Sequence, residues 1–307
     1  MCKITKKRRI LQDINIVLTA CFEPKGKKVD ILNTVEELKQ ALNSARNEGK
    51  SIGFVPTMGA LHQGHMDLVS RASVECDIVV ASVFVNPTQF NNTSDLELYP
   101  RTPEADSELL KKFGCDIAFF PSVAEIYPEN SIYPQVDLGS LDQVMEGKFR
   151  PGHFNGVVQV VWRLFDIVQP QKAFFGLKDF QQVAVIQRMV EVLDLPVQIV
   201  PCETLRTEKG LAMSSRNKRL SEGQKEEALI IYKTLSQAKE DALTLSPAQT
   251  LINALSNFET GSLKLEYLNI IHPKTLEDLT TEWVPGATMC IACFCGEVRL
   301  IDNLTLL

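Results

Sequence analysis

The chain has no apolar run of about eighteen residues, which excludes a transmembrane helix. It has no basic field either. Its 32 Lys and Arg face 38 Asp and Glu, for a formal net charge of −6, and this argues against broad electrostatic binding of nucleic acid. Low-complexity tracts, collagen repeats and long internal repeats are missing. A disulfide framework is missing too. Five of the eight cysteines are scattered singly among apolar neighbours, as expected of reduced thiols in the cytosol. The remaining three, Cys290, Cys293 and Cys295, have the spacing of half a zinc site. No second ligand cluster accompanies them and His272 stands alone, so the segment 287–301 reads as a buried strand.

Hydrophobic residues make up 45% and charged residues 23% of the 307, the balance of a soluble globular protein. At roughly 150 residues per domain, that length suggests two domains. Residues 1–27 stand apart. Lys6-Lys7-Arg8-Arg9 precedes a moderately apolar stretch ending at Cys21, but Gln12, Asp13 and Asn15 interrupt it. A secretory signal needs about 7–15 uninterrupted apolar residues, so 1–27 reads as a flexible extension.

From residue 51 onward, short runs rich in Val, Ile and Phe recur at 52–56, 77–85, 116–120, 172–175 and 197–200. They are apolar on both faces, which suits a buried parallel sheet. Between them, apolar residues recur at helical spacing: Leu61, Leu68, Val69 and Ala72; Leu109, Leu110 and Phe113; Val157, Val160, Val161 and Leu164; Val183, Ile186, Met189 and Val190. The alternation predicts a doubly wound, Rossmann-like α/β domain over 28–204, with ligands at the carboxyl ends of the strands. Near 205 the pattern changes. One helix over 222–243, a second after Pro247, and strands at 265–271 and within 288–301 predict a smaller α+β domain over 205–307.

The chemistry gathers in two segments. Pro56-Thr57-Met58-Gly59-Ala60-Leu61-His62-Gln63-Gly64-His65 lies where the first long strand ends and a helix begins. The helix end and its exposed N–H groups favour an anion there. The spacing mimics a P-loop, but His65-Met66 stands where Lys-Ser/Thr is required. His62 and His65 instead share a helix face and can donate to phosphate oxygens. The second segment, Met213-Ser214-Ser215-Arg216-Asn217, sets hydroxyls beside an arginine, which suits phosphate binding, although Ser-Ser-Arg alone is common in loops.

Together the two segments resemble the HIGH-motif nucleotidyltransferase superfamily. VPTMGALHQGH (55–65), SVFVNPTQF (82–90), YPRT (99–102), FRPGHFNGVV (149–158), FFGLKDFQQ (174–182), GLAMSSRN (210–217) and RLIDN (299–303) then stand in the order of the pantoate–β-alanine ligase family. The resemblance implies an ATP-dependent ligase that condenses pantoate with β-alanine through a pantoyl adenylate, as a cytoplasmic homodimer using Mg²⁺. It implies an ATP site from Met58, Gly59, Ala60, Leu61, His62, Gln63, Gly64 and His65, from Gly176, Leu177, Lys178 and Asp179, and from Leu205, Met213, Ser214, Ser215 and Arg216. His65, His62 and Lys178 would be catalytic, with His65 the proton donor. Gln89 and Gln182 would hold pantoate, and Gln89 would border β-alanine. Tyr99 and Arg150 would be pocket or gate residues. Asp106 is either a Mg²⁺ ligand or an exposed first-turn acid. Leu177 departs from the family's usual glutamate, which predicts a missing polar contact. A nucleotidyltransferase acting on a phosphate ester shares the HxGH segment but needs a basic acceptor pocket rather than paired glutamines. An RNA-binding module is opposed by the acidic composition.

Overall fold

The computed structural model describes residues 29–90 and 96–307. The extension over 1–27, with Cys2 and Cys21, lies outside them. Six parallel strands form the larger sheet: β1 (Asp30–Leu32), β2 (Ile52–Thr57), β3 (Ile78–Val83), β4 (Ile117–Phe119), β5 (Lys172–Gly176) and β6 (Gln198–Cys202). Their order is β1-β4-β3-β2-β5-β6. All five expected apolar runs are strands. β1 is an addition, three residues at the sheet edge that are mostly exposed and therefore carry no apolar run.

Between the strands run α1 (Val35–Asn47), α2 (Gln63–Glu75), α3 (Pro103–Lys112), the one-turn α4 (Val123–Ile126), the short α5 (Met145–Phe149), α6 (His153–Val168) and α7 (Phe180–Val192). They cover both sheet faces. Phe54 and Val80 pack with Leu38, Leu42 and the apolar stripe of α6. Val55, Val79 and Ala81 face the opposite way, onto Met66, Val69 and Ala72 of α2. Successive strand residues point to opposite faces, and both faces are buried, so the runs are continuous rather than alternating. From β2 the chain steps outward through β3 to β4, then returns to β5 on the other side of β2. The carboxyl ends of β2 and β5 therefore flank the switch point, where open α/β sheets bind ligands.

The remainder forms a second core around the antiparallel meander β7 (Lys264–Ile271), β8 (Thr288–Cys295) and β9 (Val298–Thr305), packed by α9 (Leu229–Asp241) and α10 (Pro247–Phe258), with the short α8 (Glu222–Glu227) leading into α9. The helix expected over 222–243 is divided at Ala228. Its first part, α8, buries none of its residues, whereas α9 buries Ile231, Thr234, Leu235 and Ala238. The 288–301 segment is most of a hairpin closed by Gly296-Glu297, with Gly296 at φ +57°. Within it, Cys290 joins the core of the larger domain while Cys293 and Cys295 join the smaller core. Strand alternation thus points Cys290 away from Cys293 and Cys295, so the three thiols do not converge on one point. Burial pushes Cys293 up to about 12. Among the described residues, no group of three or more His, Cys, Asp or Glu could hold a metal ion, and no helix is long and apolar enough to cross a membrane.

Candidate active site

The turn after β2 is built around two imidazoles. His62 caps α2, and its Nδ1 accepts the Gly64 N–H at 3.1 Å. The Nδ1 of His65 accepts the His62 N–H at 3.3 Å. This is a capping box made of histidines, each satisfying a donor the helix start leaves open. The ring centroids lie 4.1 Å apart. Gly64 fits beneath the first ring, since a Cβ there would come within 3.0 Å of it.

The arrangement fixes the tautomers. A ring whose Nδ1 accepts carries its proton on Nε2 when neutral. Both rings are neutral at pH 7. Burial first, then the charges of Lys178 and Lys218, bring His62 down to about 4. Burial, His62 and the same lysines put His65 well below the ordinary imidazole value. Each ring therefore offers a hydrogen bond from Nε2 without giving up a proton.

The N–H groups expected to cradle an anion are engaged elsewhere. Asp106 of α3 reaches under the turn: its Oδ2 accepts from Ala60 N–H at 3.0 Å and its Oδ1 from Leu61 N–H at 2.7 Å. Oδ1 also accepts the Thr102 hydroxyl at 3.1 Å. Gly59 N–H goes to the Thr57 hydroxyl. Gly59 and Ala60 both have positive φ, +80° and +49°. A side chain at Gly59 would also meet Asp106 Oδ2 at 3.1 Å. Asp106 is only 1% exposed, so the alternative of an exposed first-turn acid is overturned. Its carboxylate fills the place an external anion takes in a P-loop. Asp106→Ala would strand two buried N–H donors. At about 1–3 kcal/mol each, stability should fall by about 2–6 kcal/mol, with turnover falling too. Denaturant unfolding checks the first and a steady-state assay the second.

One cleft collects Met58, His62, His65, Gln89, Lys178, Asp179, Gln182, Ser214, Ser215 and Arg216, together with Tyr99 and Arg150. The expected residues Gly59, Ala60 and Leu61 are buried beneath it, and Gln63 is exposed on the helix. Gly64 lies between the His62 ring and Met213, whose Cβ is 3.6 Å from where a Gly64 Cβ would stand. Leu205 offers its carbonyl to the Met213 N–H at 2.9 Å. Gly176 and Leu177 form the turn that carries Lys178. The two motif segments, far apart in sequence, thus meet.

Gln89 is 7% exposed on the 3₁₀ turn Pro87–Gln89 after β3. Its Nε2 donates to Met58 Sδ at 2.8 Å and its Oε1 accepts from Asn86 Nδ2 at 3.2 Å. His153 donates from Nδ1 to the Gln89 carbonyl at 2.8 Å, while Arg150 donates to the His153 Nε2 at 3.1 Å. Burial, then Arg150, holds His153 down at about 4. Lys178 Nζ pairs with Asp179 at 3.0 Å. Tyr99 OH meets Ser215 Oγ at 3.2 Å.

Several residues here escaped the sequence reading. Gln181, next to the half-buried Gln182, is buried: it accepts the Glu146 N–H and donates to the Leu141 and Val144 carbonyls. Glu146 ties α5 to the small sheet through Arg299 and Tyr267. Asn86 and His153 buttress Gln89. Both sit inside quoted motifs, and His153 is one of only four histidines, which was the available signal.

The pH response has a definite sign. His62 and His153 bind protons less readily folded than unfolded, so the unfolded chain takes up more protons between about 6.5 and 4. Their contribution is complete above 6.5 and is lost as pH falls toward 4. Stability should therefore drop on acidification through this window, read by thermal unfolding at each pH.

The doubly wound sheet, with a neutral imidazole pair at its switch point and a serine–arginine loop opposite, defines the class: an α/β enzyme of the HIGH-motif nucleotidyltransferase type. The family model described as pantoate-beta-alanine ligase matches residues 30–305. The chain belongs to that family. It is 52% identical over 284 residues to a pantothenate synthetase of Porphyromonas gingivalis, covering 90% of this chain and 99% of the relative. It is 48% identical over 278 residues to that of Bacteroides thetaiotaomicron, covering 89% and 98%. The crystal structure of pantothenate synthetase from Thermus thermophilus superposes with TM-score 0.86 at 45% identity, covering 91% and 99%. The pantoate-beta-alanine ligase of Francisella tularensis, complexed with beta-gamma ATP and beta-alanine, gives 0.76 at 34%, covering 91% and 98%.

Proposed function

We propose that this chain joins pantoate to β-alanine at the expense of ATP, through an enzyme-held pantoyl adenylate, releasing AMP and pyrophosphate. The observation that carries this is the single cleft in which the His62–His65 pair, Lys178 and the Ser214–Arg216 loop face the paired glutamines Gln89 and Gln182. Family membership and the ligands named for the Francisella structure support it.

The pantoate carboxylate is ionised at neutral pH and needs no base to attack the α-phosphorus. Gln89 and Gln182 can read its hydroxyls and carboxylate, because each amide both donates and accepts. Phe84, Phe154, Val157 and Val161 line the same cleft and suit its two methyl groups. Charge developing on the phosphates meets Nε2–H of both imidazoles, the Lys178 ammonium, two serine hydroxyls and the Arg216 guanidinium. Pyrophosphate leaves, the free amine of β-alanine attacks the acyl carbon, and AMP departs. The small domain carries the serine loop over the cleft and shields the adenylate from water.

Among the described residues, Mg²⁺ finds no protein cage at this cleft: both oxygens of Asp106, beneath it, already accept hydrogen bonds, and Asp179 pairs with Lys178. Magnesium accompanying ATP would rest on phosphate oxygens and water, as this ion commonly does. A homodimer working in the cytosol completes the proposal. The test is AMP release with pantoate, β-alanine and ATP present and each omitted in turn. AMP should require all three. Pyrophosphate release without AMP would refute the reading.

A further inference from the structure

We propose that Asn303 is a positioning residue for ATP, the jaw of a clamp that sets the spacing between the two triphosphate-facing segments. The inference rests on the ligase reading above. Asn303 lies on β9 of the small sheet, is 7% exposed, and reaches across to the turn after β5. Its Nδ2 donates to the Leu177 carbonyl at 2.8 Å and the Lys178 carbonyl at 2.9 Å. Both amide protons are used, on two successive carbonyls of the very turn that presents the Lys178 ammonium.

The clamp has a fixed base. Asp302, 4% exposed, accepts the Asn303 N–H at 2.8 Å and holds Arg206 through both oxygens, at 2.5 and 2.9 Å. Arg206 also donates to the Asn303 carbonyl at 3.0 Å and the Gly210 carbonyl at 3.2 Å, and lies 4.4 Å over the Tyr232 ring. Around Arg206 the main chain closes on itself: it bridges Ala212, and Met213 N–H meets the Leu205 carbonyl. Ser214, Ser215 and Arg216 follow directly. One cluster, Arg206–Asp302–Asn303, is thus bonded on one side to the backbone of the lysine turn and on the other to the root of the serine–arginine loop.

The chemistry demands an asparagine. Aspartate would turn an acceptor on two carbonyls, and alanine would leave both carbonyls without this donor. At position 177 the clamp uses only the backbone carbonyl, which any residue supplies.

The test separates ATP from the other substrates. In Asn303→Ala, binding of a non-hydrolysable ATP analogue, measured by calorimetry, should weaken about tenfold, the scale of one to two lost hydrogen bonds. Pantoate binding should change less than twofold. Single-turnover adenylate formation should slow, while β-alanine attack on supplied pantoyl adenylate should keep its rate. Asn303→Asp should be worse than alanine. Arg206→Lys, which keeps the charge but loses the fork, should show the same one-sided loss and carries the test if the alanine variant does not fold. Unchanged ATP binding in folded variants, or equal losses in both half-reactions, would overturn the proposal. Turnover by the unaltered chain tests the ligase reading itself, so the two can fail separately.

Discussion

His65→Ala is expected to slow adenylate formation about 10²–10³-fold, the scale of one lost transition-state donor. Two functions disappear with this ring. Its Nε2–H faces the cleft, and its Nδ1 accepts the His62 N–H at the start of α2. Isosteres divide the two. The amide oxygen of asparagine falls near Nδ1, so His65→Asn should restore the cap and the melting temperature while leaving the rate nearly as low as alanine. Glutamine reaches toward Nε2, so His65→Gln should recover rate better than stability. Because both rings are neutral well below pH 7, the adenylation rate should also stay flat from about pH 7.5 to 5.5 as far as these groups decide it. A limb near 6.5 that disappears in His65→Gln would show the ring acting as an acid, contrary to the geometry.

Much of this site was legible because its signal is local. Strand runs apolar on both faces announced the parallel sheet, and the spacing of His62 and His65 placed two rings on one helix face. Where sequence reasoning misread the site, the deciding partner was remote. The turn 58–64 looked open at its N–H groups because nothing nearby showed that Asp106, 45 or more residues on, accepts those of Ala60 and Leu61. The break at Ala228 carries no glycine or proline to mark it; it follows from how α9 must seat on the small core. Short edge strands such as β1 bury too little to leave a pattern. Local periodicity encodes the elements, whereas hydrogen bonds closing the site join residues whose separation no window spans.

Beside the Asn303 bonds, the main ionic tie between the two cores is one carboxylate, and its removal should cost much stability. Glu146 is 6% exposed and accepts from Arg299 at 2.9 and 2.6 Å, from Tyr267 OH at 2.9 Å and from Arg150 at 3.5 Å. Arg299 also holds Glu266 at 2.5 Å. Burial by itself pushes the Glu146 carboxyl up, but the Arg299 bonds and charge, with Arg150 behind them, outweigh it and bring the group down to about 2. Glu146→Ala leaves Arg150 without its carboxylate, Arg299 with one instead of two, and the Tyr267 hydroxyl without its acceptor. Breaking a buried ion pair from one side costs about 3–5 kcal/mol, and the expected loss on denaturant unfolding is of that size. Glu146→Gln keeps the shape and should lose less. The pH sign is definite: a depressed carboxyl contributes fully above its ordinary value near 4.5 and is lost as pH falls toward 2. The stability difference between unaltered chain and Glu146→Gln should therefore shrink across that acid window. A difference that stayed constant from pH 7 to 3 would mean that the charge of Glu146 does not hold the domains together.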